Sequence, residues 1–346
     1  MIKASIIGAT GYSGAVLAGI LSAHKDVEII SLTSKTYAGK TFSDIYKNFK
    51  GILDIELEEQ NIEKISKNAD VIFVALPHGI ASAQIDAGVL SNAKVIDLGA
   101  DFRLKDKEVY ENWYNTKHHG EELLDNAVYG LCEWEREKVK SASLVANPGC
   151  YATASILAAA PLLKEGVICP DDIIIDAKSG VSGAGRSLDL GVHYCECSDS
   201  IKAYKVASHR HTPEIEQVLS CISGKDPLVN FTPHLVPMKR GILASVYMKP
   251  VLDISLNDIR AIYKKYYKNE YFIRFLNEGE VPETRWVQGS NFCDINVFKD
   301  PRTKRIIAFS AIDNLVKGAA GQAVQNMNIM FGLEEKTSLE NIAMFP

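Results

Sequence analysis

The stretch Ile2-Lys3-Ala4-Ser5-Ile6-Ile7-Gly8-Ala9-Thr10-Gly11-Tyr12-Ser13-Gly14 decides the fold. Ile2 to Ile7 is apolar and rich in β-formers, and three glycines follow at a spacing of three. Ala15 to His24 then carries helical periodicity, and Val27 to Leu32 is apolar again. Strand, glycine turn, helix and strand make a βαβ unit. Glycines in such a turn let backbone N–H groups approach a pyrophosphate at the N-terminus of the helix, where the helix dipole favours negative charge. The spacing differs from the commoner G-x-G-x-x-G, so the position of the turn between an N-terminal strand and a helix carries the dinucleotide reading. Its candidate contacts are Gly8, Thr10, Gly11, Tyr12, Ser13 and Gly14.

Further buried strands are expected at Val71 to Leu76, Lys94 to Leu98 and Ser143 to Ala146. Near-continuous apolar strands alternating with helices indicate a parallel sheet covered on both faces. The first part of the chain therefore reads as a doubly wound, Rossmann-type α/β domain. After Cys150 an Ala-rich helix is expected from Tyr151 to Leu163, then a strand over Ile173 to Ala177 and the glycine-rich loop Ser179 to Arg186. Strand-like segments recur at Val229–Leu235, Ile242–Met248, Asp294–Phe298 and Arg305–Ala311, with a more amphipathic pattern. An α+β domain with a mixed sheet is the expectation there. Asp313 opens a last helix that continues to about Met330 and packs back on the first domain.

Composition narrows the function. With 346 residues the chain has room for two domains with their own cores, and 47% hydrophobic with 23% charged residues is an ordinary globular balance. The net charge of −5 comes with no Lys/Arg cluster suited to a run of phosphates, so nucleic acid is not an expected partner. The longest nearly apolar run, Tyr151 to Leu163, is broken by Thr153 and Ser155, so no membrane span is expected. Seven cysteines and no secretory pattern at the N-terminus point to the cytoplasm.

Three local features carry chemistry. At the end of the second strand, where an NAD site usually has an acid, this chain has Ser34 and Lys35, which favour the 2′-phosphate of NADP(H). In Asn147-Pro148-Gly149-Cys150-Tyr151 a Pro-Gly turn delivers Cys150 to a helix start, where partial positive charge stabilises a thiolate nucleophile. In His209-Arg210-His211-Thr212-Pro213-Glu214, Thr212 reads as an N-cap and Pro213 as the first helical residue. The two histidines, at extended spacing, are expected to point in opposite directions, leaving one as a general acid/base. His193-Tyr194-Cys195-Glu196-Cys197 reads as a strand with alternating faces; no metal site is expected.

Together with Ala100-Asp101-Phe102-Arg103-Leu104, Ser182-Gly183-Ala184-Gly185-Arg186 and Asn314-Leu315-Val316-Lys317-Gly318-Ala319, these motifs resemble, in order, the N-acetyl-γ-glutamyl-phosphate reductases of the aspartate-semialdehyde-dehydrogenase-like superfamily. The resemblance spans essentially the whole chain. It implies NADPH-dependent reduction of an acyl phosphate through a thioester on Cys150, with His209 as its catalytic partner and inorganic phosphate as a product. It implies a homodimer or homotetramer, and a cofactor contact by Asn314 and Lys317. A NADP-binding domain over residues 1–148 and 313–346 and a catalytic and oligomerisation domain over 149–312 follow. His78 and Gly79 lie where a doubly wound fold contacts its cofactor. Asn147 is expected to stabilise developing negative charge at the reacting centre. Arg103, Arg186, Arg210 and His211 are the candidates for the anionic substrate, since guanidinium forks suit carboxylate and phosphate.

Spacing alone leaves competitors: reduction of aspartyl phosphate or of a carrier-bound aminoadipyl or glutamyl phosphate, a cysteine acyl-hydrolase or acyltransferase with a vestigial nucleotide fold, or an NADP-sensing regulator.

Overall fold

In the computed structural model, which describes residues 1–344, the quoted stretch builds β1 (Ile2–Ile7) and α1 (Tyr12–Ser22). The helix starts at Tyr12, earlier than its apolar periodicity suggests, because Gly11 serves as N-cap and Ala15 N–H already bonds the Gly11 carbonyl. Six more strands follow: β2 (Val27–Thr33), β3 (Leu57–Glu58), β4 (Val71–Val74), β5 (Lys94–Asp97), β6 (Val128–Tyr129) and β7 (Leu144–Ala146). All pair in parallel, in the order β3-β2-β1-β4-β5-β7-β6. The central strands are buried on both faces, Val71 to Val74 completely, which is why they read as unbroken apolar runs.

This sheet belongs to a first compact unit, Met1–Pro148 with Ala319–Glu340. The last helix, Gly321–Met330, packs on α1, on β5 and on a helix over Cys132–Ser141. Its buried face carries amides as well as apolar groups. Asn328 meets His24 at 3.0 Å, and Asn326 donates to the Gly130 carbonyl at 2.9 Å and the Asn147 Oδ1 at 3.1 Å.

The second unit, Gly149–Gly318 with the residues from Asn341 onward, holds a mixed sheet. Its strands are β8 (Ile168–Gly180), β9 (Lys202–Ala203), β10 (Val229–Val236), β11 (Ile242–Pro250), β12 (Ile273–Phe275), β13 (Cys293–Lys299) and β14 (Ile306–Ile312). They lie in the order β12-β13-β14-β11-β8-β10-β9. β10 runs parallel to β8 and β12 parallel to β13, while the other pairs are antiparallel. The Ala-rich helix Cys150–Lys164 is buried from Tyr151 to Leu163 and packs on β11, β14 and the helix His211–Ser223. Pro161 deprives the Leu157 carbonyl of its helical donor, and the Tyr267 hydroxyl, from the helix Leu256–Tyr267, donates to that oxygen at 2.7 Å instead.

Four expectations need correction. His193–Cys197 is no strand: Tyr194–Cys197 is a short helical turn, closed by Cys197 N–H on the His193 carbonyl, with no strand paired to it. The helix after the histidines starts at His211, not Pro213, and Arg210, not Thr212, is its N-cap; Thr212 N–H bonds back to the His209 carbonyl. The histidines do not diverge, because Arg210 is helical (φ −62°, ψ −16°) rather than extended. Asp313–Gly318, assigned above to the first domain, lies in the second unit, where Asp313 bonds Gly289 and Asn314 bonds Gly241. It adopts a π-type turn over Val316–Ala320 before the last helix begins.

Candidate active site

In the second unit, Gly149 caps the 15-residue helix that begins with Cys150, and no side chain fills that cap. The sulfur-bearing residue therefore sits in the first turn, where unpaired amides favour an anion. The cap is held from below: Gly149 N–H donates to Glu214 Oε1 at 2.8 Å, and Glu214 is fully buried. Gly318 lies directly against the cysteine, since a Cβ on it would stand 2.6 Å from Cys150 Cβ.

Beside Cys150 is an aromatic and imidazole cluster. The His209 ring meets Tyr151 at 5.6 Å, Tyr204 at 5.5 Å, Phe231 at 5.2 Å and His211 at 4.9 Å, all edge-on. Tyr204 and Tyr151 hydroxyls are 3.3 Å apart, and the Tyr151 hydroxyl donates to the His234 carbonyl. Burial pushes the Tyr204 hydroxyl up to about 12; its hydrogen bond with Tyr151 opposes the rise, Cys150 adds to it, and Arg210 also opposes it. One neighbourhood thus contains Cys150, Tyr151, Tyr204, His209 and Arg210.

His209 is buried, and burial, with the charges of His211, Lys205 and Arg210 adding to the effect, lowers its pKa to about 2. It is neutral at physiological pH. Its Nδ1 accepts the backbone N–H of His211 at 3.1 Å, so the ring proton resides on Nε2. His211 has its Nε2 4.0 Å from Glu214 Oε2.

Around Gly318 the same unit gathers the ends of three strands. Ile242 pairs with Ser179 on one side and Ile312 on the other. Asn314 accepts Gly241 N–H at 2.7 Å and donates to Ser182 Oγ at 3.0 Å, so both ends of its amide are engaged inside this unit. Lys317 is fully buried, its nitrogen 5.7 Å from the Phe272 ring centre. Asp313, also fully buried, accepts N–H bonds from Gly289, Leu315 and Val316 and stands 3.2 Å from Arg240 Nε.

The first unit holds the nucleotide turn. Gly8 has φ +80°, and a Cβ there would lie 2.5 Å from the Ala75 carbonyl oxygen; a Cβ on Gly14 would lie 2.6 Å from the Gly8 oxygen. Gly8 N–H bonds Thr33 Oγ1, and Thr10 and Ser34 share a 2.8 Å hydroxyl contact. Tyr12 and Ser13 open α1, whose N-cap has no side-chain acceptor. Gly8, Ala9 and Gly11 N–H bond within this unit, so the first-turn amides of α1 are the donors that a pyrophosphate would take. Ser34 is buried, whereas Lys35 is exposed. Gly79 (φ +83°) follows His78, whose ring meets Tyr114 at 5.4 Å. Buried Asp101 ties that loop down, accepting Gly79 N–H, Ser82 N–H and the Tyr110 hydroxyl.

The candidate arginines separate. Arg210 lies in the His209 cluster. Arg103 is buried in the first unit and donates to the Leu98 and Asn147 carbonyls, both at 2.9 Å, and Asn147 Nδ2 donates to the Ala319 carbonyl. Arg186 is exposed on the loop that follows Gly185. Sequence reasoning missed Tyr204, Gly318, Asp313 and Arg240. Asp313 and Gly318 flank or fall within the Asn314–Ala319 motif and so carried a signal; Tyr204 and Arg240 carried none.

Comparison with known proteins agrees with this division. Residues 3–142 match the semialdehyde dehydrogenase NAD binding domain, and residues 150–314 the semialdehyde dehydrogenase dimerisation domain. The chain is 53% identical over 346 residues to the N-acetyl-gamma-glutamyl-phosphate reductase of Lachnoclostridium phytofermentans, covering all of both chains. It is 53% identical over 345 residues to that of Pelotomaculum thermopropionicum, covering 100% of this chain and 99% of the relative. In fold it is similar to aspartate semialdehyde dehydrogenase II from Vibrio cholerae, with TM-score 0.72, 17% identity, and 96% and 99% of the two chains covered.

Proposed function

The chain belongs to the N-acetyl-γ-glutamyl-phosphate reductases of the semialdehyde dehydrogenase family, and on that premise we propose how its residues perform the reaction. The substrate is N-acetyl-L-glutamyl 5-phosphate and the products are N-acetyl-L-glutamate 5-semialdehyde, NADP⁺ and phosphate, a step of arginine biosynthesis. The observation that carries the mechanism is Cys150 as the first residue of a buried helix whose glycine cap brings no side chain, in one cluster with a neutral histidine.

The Cys150 thiolate attacks the acyl carbon; the C–S bond forms as the C–O bond to phosphate breaks, and phosphate leaves with the electron pair. NADPH, when bound, supplies the hydride that reduces the thioester. The resulting thiohemiacetal oxyanion on Cys150 then collapses: its C–O becomes a carbonyl and the thiolate leaves. Amides of the helix start stabilise negative charge on the reacting oxygen. His209, with its proton on Nε2, serves as donor to that oxygen rather than as base toward the thiol.

For NADP(H) the residues present fit. Gly8 and Gly14 let the turn close tightly, since a Cβ on either would collide with the Ala75 or Gly8 carbonyl oxygen, and the α1 N-terminus, which has no side-chain cap, would supply amides for the pyrophosphate. Ser34 and Lys35 would face the 2′-phosphate. We assign residues 1–148 with the last helix to cofactor binding and the second unit to catalysis and self-association. The homodimer or homotetramer reading is supported by exposed Ile174, Leu188, Leu190, Tyr194, Ile201 and Val206, all in the second unit. Among the described residues no helix is long and apolar enough to cross a membrane. With no disulfide among the seven cysteines, the cytoplasm is the proposed compartment.

The test is phosphate-dependent reduction of NADP⁺ with N-acetylglutamate semialdehyde, with aspartate semialdehyde alongside. Turnover of the acetylated aldehyde alone, abolished in Cys150→Ser, supports the reading; turnover of the aspartate aldehyde instead, or of neither, overturns it.

A further inference from the structure

Arg240 precedes β11 in the turn Met238–Gly241. Its place is tightly determined. Gly180 lets the backbone of Arg240 approach, since a Cβ on Gly180 would lie 2.8 Å from Arg240 N. Ser182 N–H bonds the Lys239 carbonyl, Gly180 N–H bonds the Gly241 carbonyl, and Asn314 joins Gly241 to Ser182. The side chain is about three-quarters buried, and its Nε stands 3.2 Å from Asp313 Oδ2. Asp313 in turn accepts Gly318 N–H on its backbone carbonyl, and Gly318 rests against Cys150. Two residues, Asp313 and Gly318, thus stand between Arg240 and the nucleophile, within the same unit.

Its Nη2 is buried and has no hydrogen-bond acceptor among the described residues. A guanidinium has five donors in a planar fork, and leaving a charged donor buried without an acceptor costs free energy. Asp313 does not serve this nitrogen: its oxygens accept three backbone amides, and Nε itself stands 3.2 Å from Oδ2 as an ion pair without a hydrogen bond. Such an unsatisfied group persists where another component completes it.

We propose that Arg240 receives an oxyanion of the substrate, its carboxylate or its phosphoryl group, and that Asp313 is the positioning residue that aims it. This rests on the reductase reading above for the identity of the substrate, but the anion site is testable without it. The Asp313 pair holds the fork in one orientation, so little side-chain freedom is lost on binding, and a bidentate contact with a planar carboxylate or a phosphate face becomes available. Lysine, a single ammonium, would keep the ion pair with Asp313 without supplying the fork.

Two measurements test this on the full-length protein, comparing wild type with Arg240→Gln and Arg240→Lys. The first is alkylation of Cys150, followed by peptide mass spectrometry, with anionic iodoacetate and neutral iodoacetamide. Wild type is expected to favour iodoacetate, relative to a small thiol, by about tenfold more than Arg240→Gln does. An equal ratio in wild type and variant overturns the proposal, whether or not the acetylated aldehyde is a substrate. The second is steady-state kinetics in the oxidative direction. Arg240→Gln is expected to raise KM for phosphate, or KM for the aldehyde, at least tenfold while leaving KM for NADP⁺ unchanged. A rise confined to phosphate assigns the phosphoryl group and a rise confined to the aldehyde the carboxylate; unchanged values for both overturn the proposal. If the glutamine variant does not fold, Arg240→Lys decides by the same ratios, with a smaller loss expected and wild-type values contradicting it.

Discussion

His209 accepts the backbone N–H of His211 on Nδ1 at 3.1 Å, which leaves Nε2 as the ring nitrogen that carries the proton. The ring caps its own following helix, so its other nitrogen carries the proton and is a donor. His209→Asn retains an acceptor for the His211 amide and removes the Nε2 donor. It is expected to lower kcat about 100-fold, within the usual range for a positioned proton donor, while Cys150 alkylation by iodoacetamide changes less than threefold. Stopped-flow alkylation beside steady-state turnover checks the split; a parallel loss in both would make His209 the base for the thiol.

The same burial gives a pH prediction for stability. His209 falls from 6.5 in a solvated chain to about 2 in the fold. Between these values the unfolded chain binds the extra proton, so stability is fully present above pH 6.5 and is lost progressively as pH falls below it. Thermal melts from pH 7.5 to 5 are expected to show the Tm of His209→Asn rising relative to that of wild type as pH falls, the contribution of every other group being common to both proteins. The corresponding activity profile should show no acid limb from His209 between pH 6 and 8.

Asp97 titrates in the opposite sense. It is fully buried at the end of β5, and burial, with Asp101 adding to it, raises its carboxyl from 3.8 to about 7, while Gly99 N–H and Arg103 oppose the rise. Its stabilising protonation is complete below about pH 4 and is lost as pH rises through 7. Asp97→Asn keeps an oxygen for Gly99 N–H and removes the buried charge. It is expected to raise Tm at pH 8 and to change it little at pH 5, measured by calorimetry at both values.

Gly318 tests the packing around the nucleophile. An alanine methyl would stand 2.6 Å from Cys150 Cβ, so the helix start or the π-type turn must move. Gly318→Ala is expected to destabilise by about 1–3 kcal/mol, as overpacking does, and to reduce kcat at least tenfold with NADPH affinity retained. Denaturant titration and cofactor fluorescence check the two parts.

The parts legible in the sequence are those governed by local pattern. The glycine turn at Gly8–Gly14 and the buried β-runs announce a parallel sheet because burial on both faces leaves an unbroken apolar string. Cys150 stands out because Pro148-Gly149 stops one element and starts another. The histidine pair misled, since the direction of His211 depends on the ψ of Arg210, which residue types do not reveal. Asp313–Gly318 misled too, because a helix-like stretch can turn with π geometry when its amides bond a buried aspartate. Arg240 and Tyr204 were invisible because their placement comes from strands far apart in sequence: Arg240 rests on Gly180 and pairs with Asp313.

The most direct test of the account is a single-turnover experiment with N-acetylglutamate semialdehyde and NADP⁺ in the absence of phosphate, read by NADPH absorbance and by the mass of the Cys150 peptide. The account predicts a burst of about one NADPH per chain, an N-acetylglutamyl thioester on Cys150, and release of that acyl group when phosphate is added. Steady turnover on adding phosphate, with no burst and no acylated Cys150 beforehand, would contradict it.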